Sequence, residues 1–286
     1  MLTLDVKKTQ LYTRRKRIVK YNCTVVSAYY EIPSKRPSKY YMEWIDNFLK
    51  LEVPIVLFTS AEHAPVFKEK RGYLPIIIHV VPFEEMYMWK LYKKKWSEHY
   101  EFDPEKSYHS PELYAVWANK CIWLNDVSAK NPFNTNWFLW TDCGCFRDSN
   151  TIKDYATTFC RVERFTKGRT LFSTVFKYVD GDYVRDDGIV GNFTKVDGDF
   201  KDRLVGTYFG GDKESCYRWK CAYESMLLRY FVMNRFAGKD QSIMNSTILE
   251  DPTLGEIVES TVPGSTWNFI QLYLSRPGIR KAIYRP

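Results

Sequence analysis

Apolar residues follow two rhythms along this chain. Short unbroken runs at 23–30 (CTVVSAYY), 54–60 (PIVLFTS), 76–81 and 137–142 (WFLWTD) are of strand length and rich in β-branched or aromatic residues, which marks buried strands. Between them the spacing becomes helical. In 39–51, Tyr41, Trp44, Ile45, Phe48 and Leu49 recur on one face, with Ser38 as the predicted N-cap. A helical stretch at 62–71 is stopped by Gly72, and 84–101 is aromatic, basic and helical. Ser110 followed by Pro111 opens a helix to about residue 127. Strands alternating with helices predict a parallel sheet with right-handed crossovers. Such sheets bind ligands at the carboxyl ends of their strands, here near Ala28, Tyr29, Thr59, Ser60 and Pro82.

The second half reads more sparsely. A strand is predicted at 171–176 and a short one at 205–209, running into Gly210 and Gly211. A long helix at about 213–236 ends at Gly238, and its Trp219, Tyr223, Met226, Leu227, Tyr230 and Phe231 form a core-facing stripe. Between 178 and 203 lie acidic turns at Asp180-Gly181-Asp182, Asp186-Asp187-Gly188 and Asp197-Gly198-Asp199, read as a flap or as solvated hairpins. They lack the twelve-residue calcium loop that ends in Glu. With no repeat and no linker, residues 1–286 are expected to form a single domain behind a basic lead-in at 1–20.

Composition sharpens this picture in two places. Aromatic residues reach 17 %, and flat rings suit the faces of sugars as well as a core. Net charge is +8, with clusters at Arg14–Lys20 and Lys93–Lys95, which suits an anionic partner. Seven cysteines in no regular framework favour a reducing compartment, with most of them acting as small core residues. The Cys143/Cys145 pair has no second pair at zinc-ribbon spacing, and the four histidines lie upstream of it, against a zinc site. No run approaches the ~20 apolar residues of a membrane span, and no apolar secretory segment follows the basic start. Together these give an expected cytoplasmic location.

The candidate chemistry centres on Phe138-Leu139-Trp140-Thr141-Asp142-Cys143-Gly144. A buried strand does not continue through an unpaired carboxylate, so Asp142 is expected to emerge at the sheet edge as a cation or diphosphate contact. Gly144 leaves room for that ligand to approach the backbone. Thr207-Tyr208-Phe209-Gly210-Gly211-Asp212 reads either as an ordinary turn with Asp212 as N-cap or as part of a sugar pocket. Asp240, beside Gln241, reads as an N-cap, as a base for an acceptor hydroxyl, or as both. Neither a Gly-x-Gly-x-x-Gly after the first strand nor a Walker motif is present.

The segments Thr24–Tyr30, Trp117-x-x-Lys120, Asn131-Pro132-Phe133 and Phe138–Gly144 resemble the HtrL/YibB (WlaTC/HtrL) family of glycosyltransferases over roughly residues 23–250. The resemblance implies an α/β, GT-A (nucleotide-diphospho-sugar transferase) fold with a mainly parallel central sheet flanked by helices. It implies a nucleotide-sugar donor, UDP-sugar favoured, a glycan or glycoprotein acceptor, and Mn²⁺ or Mg²⁺ at an Asp-x-Gly motif. Carried over by position, Asp142 would contact metal or diphosphate, and Lys120 would face the same site. Donor contacts would come from Ala28, Tyr29, Thr59, Lys120, Asp142, Gly144, Gly210 and Gly211, and Asp212 and Asp240 would be catalytic. The sequence departs from many GT-A enzymes in having Gly144 for the second acid and no histidine after His109. Two other readings are a basic nucleic-acid-binding protein, which is disfavoured, and a sugar nucleotidyltransferase. The latter usually carries a glycine-rich loop after its first strand, and residues 31–38 contain no glycine.

Overall fold

The computed structural model of the chain describes residues 21–33, 36–186, 188–191 and 202–286. The basic lead-in, Asp187 and the 197–199 turn lie outside the described residues. In chain order the first half runs β1 (Cys23–Tyr29), α1 (Ser38–Phe48), β2 (Ile55–Thr59), α2 (Ala64–Arg71), β3 (Ile76–Val80), α3 (Tyr87–Tyr100), α4 (Pro111–Lys130) and β4 (Trp137–Thr141). It continues with α5 (Ser149–Tyr155), β5 (Thr170–Ser173), β6 (Arg185–Asp186), β7 (Ile189–Val190), β8 (Tyr208–Gly211), α6 (Lys213–Val232), α7 (Asp240–Glu250), β9 (Gly255–Val258), α8 (Phe269–Tyr273) and β10 (Ile283–Tyr284).

Eight strands form one sheet in the order β10-β9-β5-β8-β4-β1-β2-β3. Strands β1 to β4 pair in parallel, as does β5 with β9. β8 runs antiparallel between β4 and β5. Helices cover both faces, which is the expected mixed α/β architecture with a mainly parallel central sheet. The period-2 alternation of a strand explains the two cores. Val26, Val56, Phe138 and Trp140 point to one face, under Trp96 of α3, Trp123 of α4 and Trp219 of α6. Val25, Ile55, Leu57 and Leu139 point to the other, under Ile45 and Phe48 of α1, Phe67 of α2 and Phe269 of α8.

Several boundaries differ from expectation. Ser38 is the first residue of α1 and makes no side-chain cap; Pro37 precedes it, because a fixed φ of −57° already suits a helix start. The basic aromatic helix begins at Tyr87, and the long helix ends at Val232 with Asn234 in the left-handed region. Ser110 does cap α4, accepting from Leu113 N at 3.3 Å. The predicted 205–209 strand lies three residues further on and contains both glycines.

Those glycines are there for close packing, Gly210 against β4 and Gly211 against Ser215 and the Arg169 carbonyl. A Cβ on Gly210 would lie 2.1 Å from Phe138 O and 2.7 Å from Leu139 Cα, both backbone atoms of β4. Gly210→Ala therefore forces β8 off β4, with an expected loss of roughly 3 kcal/mol or more in urea unfolding. A loss below about 1 kcal/mol would contradict so tight a strand contact.

Cys23 and Cys160 form a disulfide that ties the start of β1 to the segment after α5. This corrects the expectation of a reducing compartment, while Cys121, Cys143, Cys145 and Cys216 are buried thiols, as expected of small core residues. Disulfides belong to oxidising surroundings, so cysteine usage no longer supports the cytoplasmic expectation. No helix among the described residues is long and apolar enough to cross a membrane.

His99 is 1 % exposed, with Nδ1 accepting from Ala237 N and its ring against Phe231. Burial, helped by Lys95, pushes its pKa down to about 4. Between the unfolded histidine value near 6.5 and about 4, the unfolded chain binds the extra proton, so stability falls as pH falls through that window. The expected loss is on the order of 3 kcal/mol. Urea melts across this window should show that slope, and His99→Leu should flatten it; an equal slope in the variant would contradict the assignment.

Candidate functional site

Strands β1 and β4 end together, and their carboxyl ends open into a cavity of about 770 Å³. Its walls come from the loop after β1, from α4 and from the turn after β4. β4 ends where it does because its five residues are almost wholly buried and Asp142 is the first charged side chain after them. Asp142 N donates to Thr207 O at 2.9 Å, and Cys145 N returns to Asp142 O at 3.1 Å, which closes the turn. The Asp142 side chain is 30 % exposed at the cavity.

Behind it sits a buried charge cluster. Lys120 projects from α4 with a side chain 5 % exposed, and its ammonium lies 3.3 Å from Asp142 Oδ1 and 3.1 Å from Asp240 Oδ2. The same Nζ donates to Gly206 O at 3.0 Å. Trp140 Nε1 donates to Asp142 Oδ1 at 2.7 Å. Burial works to lower the Lys120 pKa, but Asp142 and Asp240 outweigh it and hold the ammonium above the usual lysine range. Burial, with some help from Asp240, pushes the Asp142 carboxyl up against the opposing pull of Lys120 and Trp140. Lys120 and Asp142 both line the cavity, and Asp142 is the more exposed of the two.

Not every predicted residue joins this place. Ala28, Tyr29, Lys120, Asp142 and Gly144 line the cavity. Thr59 is fully buried and donates to Tyr29 O at 2.8 Å, so it binds β2 to β1 and does not face the cavity. Asp240 is the first residue of α7, with Lys239 as N-cap, and not the cap itself. It is 6 % exposed, and its Oδ1 accepts from Gln241 N. It stands behind Lys120 and outside the main lining.

Gly210, Gly211 and Asp212 are a correction of position. β8 runs against β4, so Tyr208 pairs with Thr141 and Gly211 with Phe138. The two glycines thus lie away from the cavity end, and Asp212 lies beyond them at the amino end of β4. Asp212 is an N-cap, accepting from Ser215 N and Gly168 N. The order of residues was readable, but the reversed direction of β8 was not.

Other groups at the cavity carried weaker signals. Arg36 and Arg147 line it, the latter stacked over Trp44 at 4.6 Å. On α4, Leu113, Trp117 and Lys120 recur at helical spacing along the lining face. His109 lies just before α4 and also lines the cavity, its ring 5.0 Å from that of Trp117. His109 Nδ1 is 2.9 Å from Asp103 Oδ2, which also accepts from the Tyr114 hydroxyl, while Asp103 Oδ1 accepts from Glu105 N at 2.7 Å. Burial raises the Asp103 pKa, but these three donors outweigh it and hold the carboxyl below its ordinary value.

A divalent cation has two sets of oxygen and nitrogen donors to consider. Asp142 offers a single carboxylate, already flanked by Lys120, and fits a cation that takes its other ligands from phosphate and water. Glu31, Glu62 and His63, beyond β1 and β2, bring their ligand atoms within 4.8 Å of one another. His63 Nδ1 lies 3.0 Å from Ser60 Oγ, and Nε2 lies 3.4 Å from Glu31 Oε2. Glu31 also lines the cavity, so this trio is a possible acidic metal site at its rim.

No protein-family model matches the chain, and no curated protein matches it in sequence. Among solved structures it is similar to mouse xyloside xylosyltransferase 1 in its apo form. The identity is 13 % and the TM-score 0.44, over 84 % of this chain and 85 % of that one. It is also similar to 4-diphosphocytidyl-2C-methyl-D-erythritol synthase from Anaerococcus prevotii, at 10 % identity and a TM-score of 0.29, over 80 % of this chain and 98 % of that one.

A second cavity, about 940 Å³, is lined by Asn22, Cys23, Thr158 and Cys160 at the amino end of β1. It is the larger, but it lies away from the carboxyl ends where open parallel sheets bind ligands.

Proposed function

We propose that the chain is a glycosyltransferase of the HtrL/YibB kind, acting as one domain. It moves a sugar from a nucleotide-diphosphate donor, UDP-sugar favoured, to a glycan or glycoprotein acceptor. The observation that carries this reading is the partly exposed Asp142 carboxylate at the end of β4, opening on a cavity that also has Arg36, Arg147 and aromatic walls. Donor base and ribose fit the Ala28 and Tyr29 end, where Tyr29 stays a neutral phenol because burial, and then Glu31, push its pKa to about 12. The diphosphate belongs beside Asp142 and Lys120, with the two arginines as further cationic partners.

When bound, Mn²⁺ or Mg²⁺ supplies positive charge that offsets the charge growing on the leaving diphosphate. Asp142 is its proposed protein ligand, and Glu31, Glu62 and His63 are the alternative. The protein's own part is to hold Lys120 charged and fixed: two carboxylates and Gly206 O orient the ammonium before substrate arrives.

A thermal-shift screen of nucleotide sugars, with and without Mn²⁺, tests the assignment. Ligand at 100 times its Kd stabilises the native state by about 2.7 kcal/mol, enough to raise Tm by several degrees. At least one nucleotide sugar should do so, and more strongly than its free sugar. A flat response to all nucleotide sugars, beside salt-sensitive binding of nucleic acid, would contradict it.

A further inference from the structure

A hydroxyl acceptor needs a group that takes its proton, and Asp240 does not meet the cavity. Each carboxylate of the described lining is engaged: Asp142 with Lys120 and Trp140, Glu105 with Lys239 at 3.3 Å, and Glu31 with His63. His109 is differently placed. Its Nδ1 faces Asp103, whose side chain is 1 % exposed, and its Nε2 carries no hydrogen bond among the described residues.

Asp103 fixes which nitrogen holds the proton. Its carboxyl is held ionised, so it only accepts, and a neutral His109 must donate from Nδ1. That leaves the Nε2 lone pair as a proton acceptor on a ring at the cavity wall. Trp117, beside it at 5.0 Å, offers an aromatic face for a sugar and stands one helical turn before Lys120. Of the charged groups, Asp103 faces the imidazole directly, Glu105, Arg36 and Lys120 share its cavity lining, and Lys239 pairs with Glu105.

We infer that His109 is the general base of the transfer and Asp103 its positioning residue, an inference that rests on the glycosyltransferase reading of this cavity. Nε2 takes the proton of the acceptor hydroxyl as its oxygen bonds to the anomeric carbon. The bond from that carbon to the distal phosphate oxygen breaks, and the electron pair leaves with the nucleoside diphosphate. Asp103 remains ionised and stabilises the imidazolium. Direct displacement of this kind inverts the anomeric configuration.

His109→Asn tests the inference, because Asn can still donate to Asp103 while offering no base. The nucleotide sugar that stabilises the wild type is used as donor, and nucleoside diphosphate binding is followed by calorimetry. The expected result is a kcat lower by about 10² to 10⁴, unchanged nucleoside diphosphate affinity, and loss of the acidic limb of the kcat pH profile. His109→Ala should recover part of its rate in added imidazole. Asp103→Asn should lower kcat and keep that limb. Wild-type kcat with an unchanged pH profile in His109→Asn, beside intact nucleotide binding, would overturn the base assignment and leave the function standing. No nucleotide binding by the wild type would overturn both.

Discussion

Asp142→Ala is expected to lower kcat/KM for sugar transfer by about 10³-fold or more while the protein stays folded. The loss is large because Asp142 is the most exposed member of the Lys120–Asp142–Asp240 cluster, 30 % against 5 % for Lys120, and is the proposed contact to cation and diphosphate. The fold should survive because the variant leaves Lys120 paired with Asp240 at 3.1 Å and bonded to Gly206 O, so no buried charge is abandoned. Trp140 Nε1 loses its acceptor, which costs about 1–3 kcal/mol. Asp142→Asn separates the two effects: it can accept from Trp140 yet carries no charge. It should recover most of the stability and little of the activity. Full turnover in either variant would remove Asp142 from the mechanism.

Lys120→Met produces the opposite pattern, with stability lost first. Without the ammonium, Asp142 and Asp240 face each other across a buried gap with no cation between them. Breaking a buried pair from one side typically costs about 3–5 kcal/mol, or about 10 °C in Tm for a chain of this size. Adding Asp240→Asn to the variant removes one stranded charge and should restore part of that loss without restoring turnover. A Lys120→Met protein that melts with the wild type would show that the cluster is not held together by charge.

The first half of the fold was legible because its signals are local. Unbroken apolar runs at β1, β2, β3 and β4, with Ser110, Pro111 and Gly72 as punctuation, reproduce the parallel part of the sheet. The second half depends on direction. Nothing local in Tyr208-Phe209-Gly210-Gly211 says that β8 runs against β4, and that reversal alone carries Gly210, Gly211 and Asp212 away from the site. Short elements such as β9 and α8 have too few residues to show a period.

The site divides the same way. Asp142 was legible because a charge at the end of an apolar strand has to emerge somewhere, and Lys120 because it stands on a helix that the Trp117-x-x-Lys120 segment marks. Thr59 was misread because being at a strand end does not decide which way a side chain points; its hydroxyl turns to Tyr29 O. His109 and Asp103 carried no signal of their own, since their pairing is made by a loop conformation rather than by a spacing rule. The Cys23–Cys160 disulfide spans 137 positions, and no pairing across such a distance is fixed by sequence alone.

The proposed function places the diphosphate of an activated sugar against Asp142. A crystal structure with a bound nucleoside diphosphate tests it most directly. Phosphate oxygens should lie within hydrogen-bond reach of Lys120, or be joined to Asp142 through a cation, in the cavity at the ends of β1 and β4. Nucleotide seated in the other cavity, beside the Cys23–Cys160 disulfide, would contradict it.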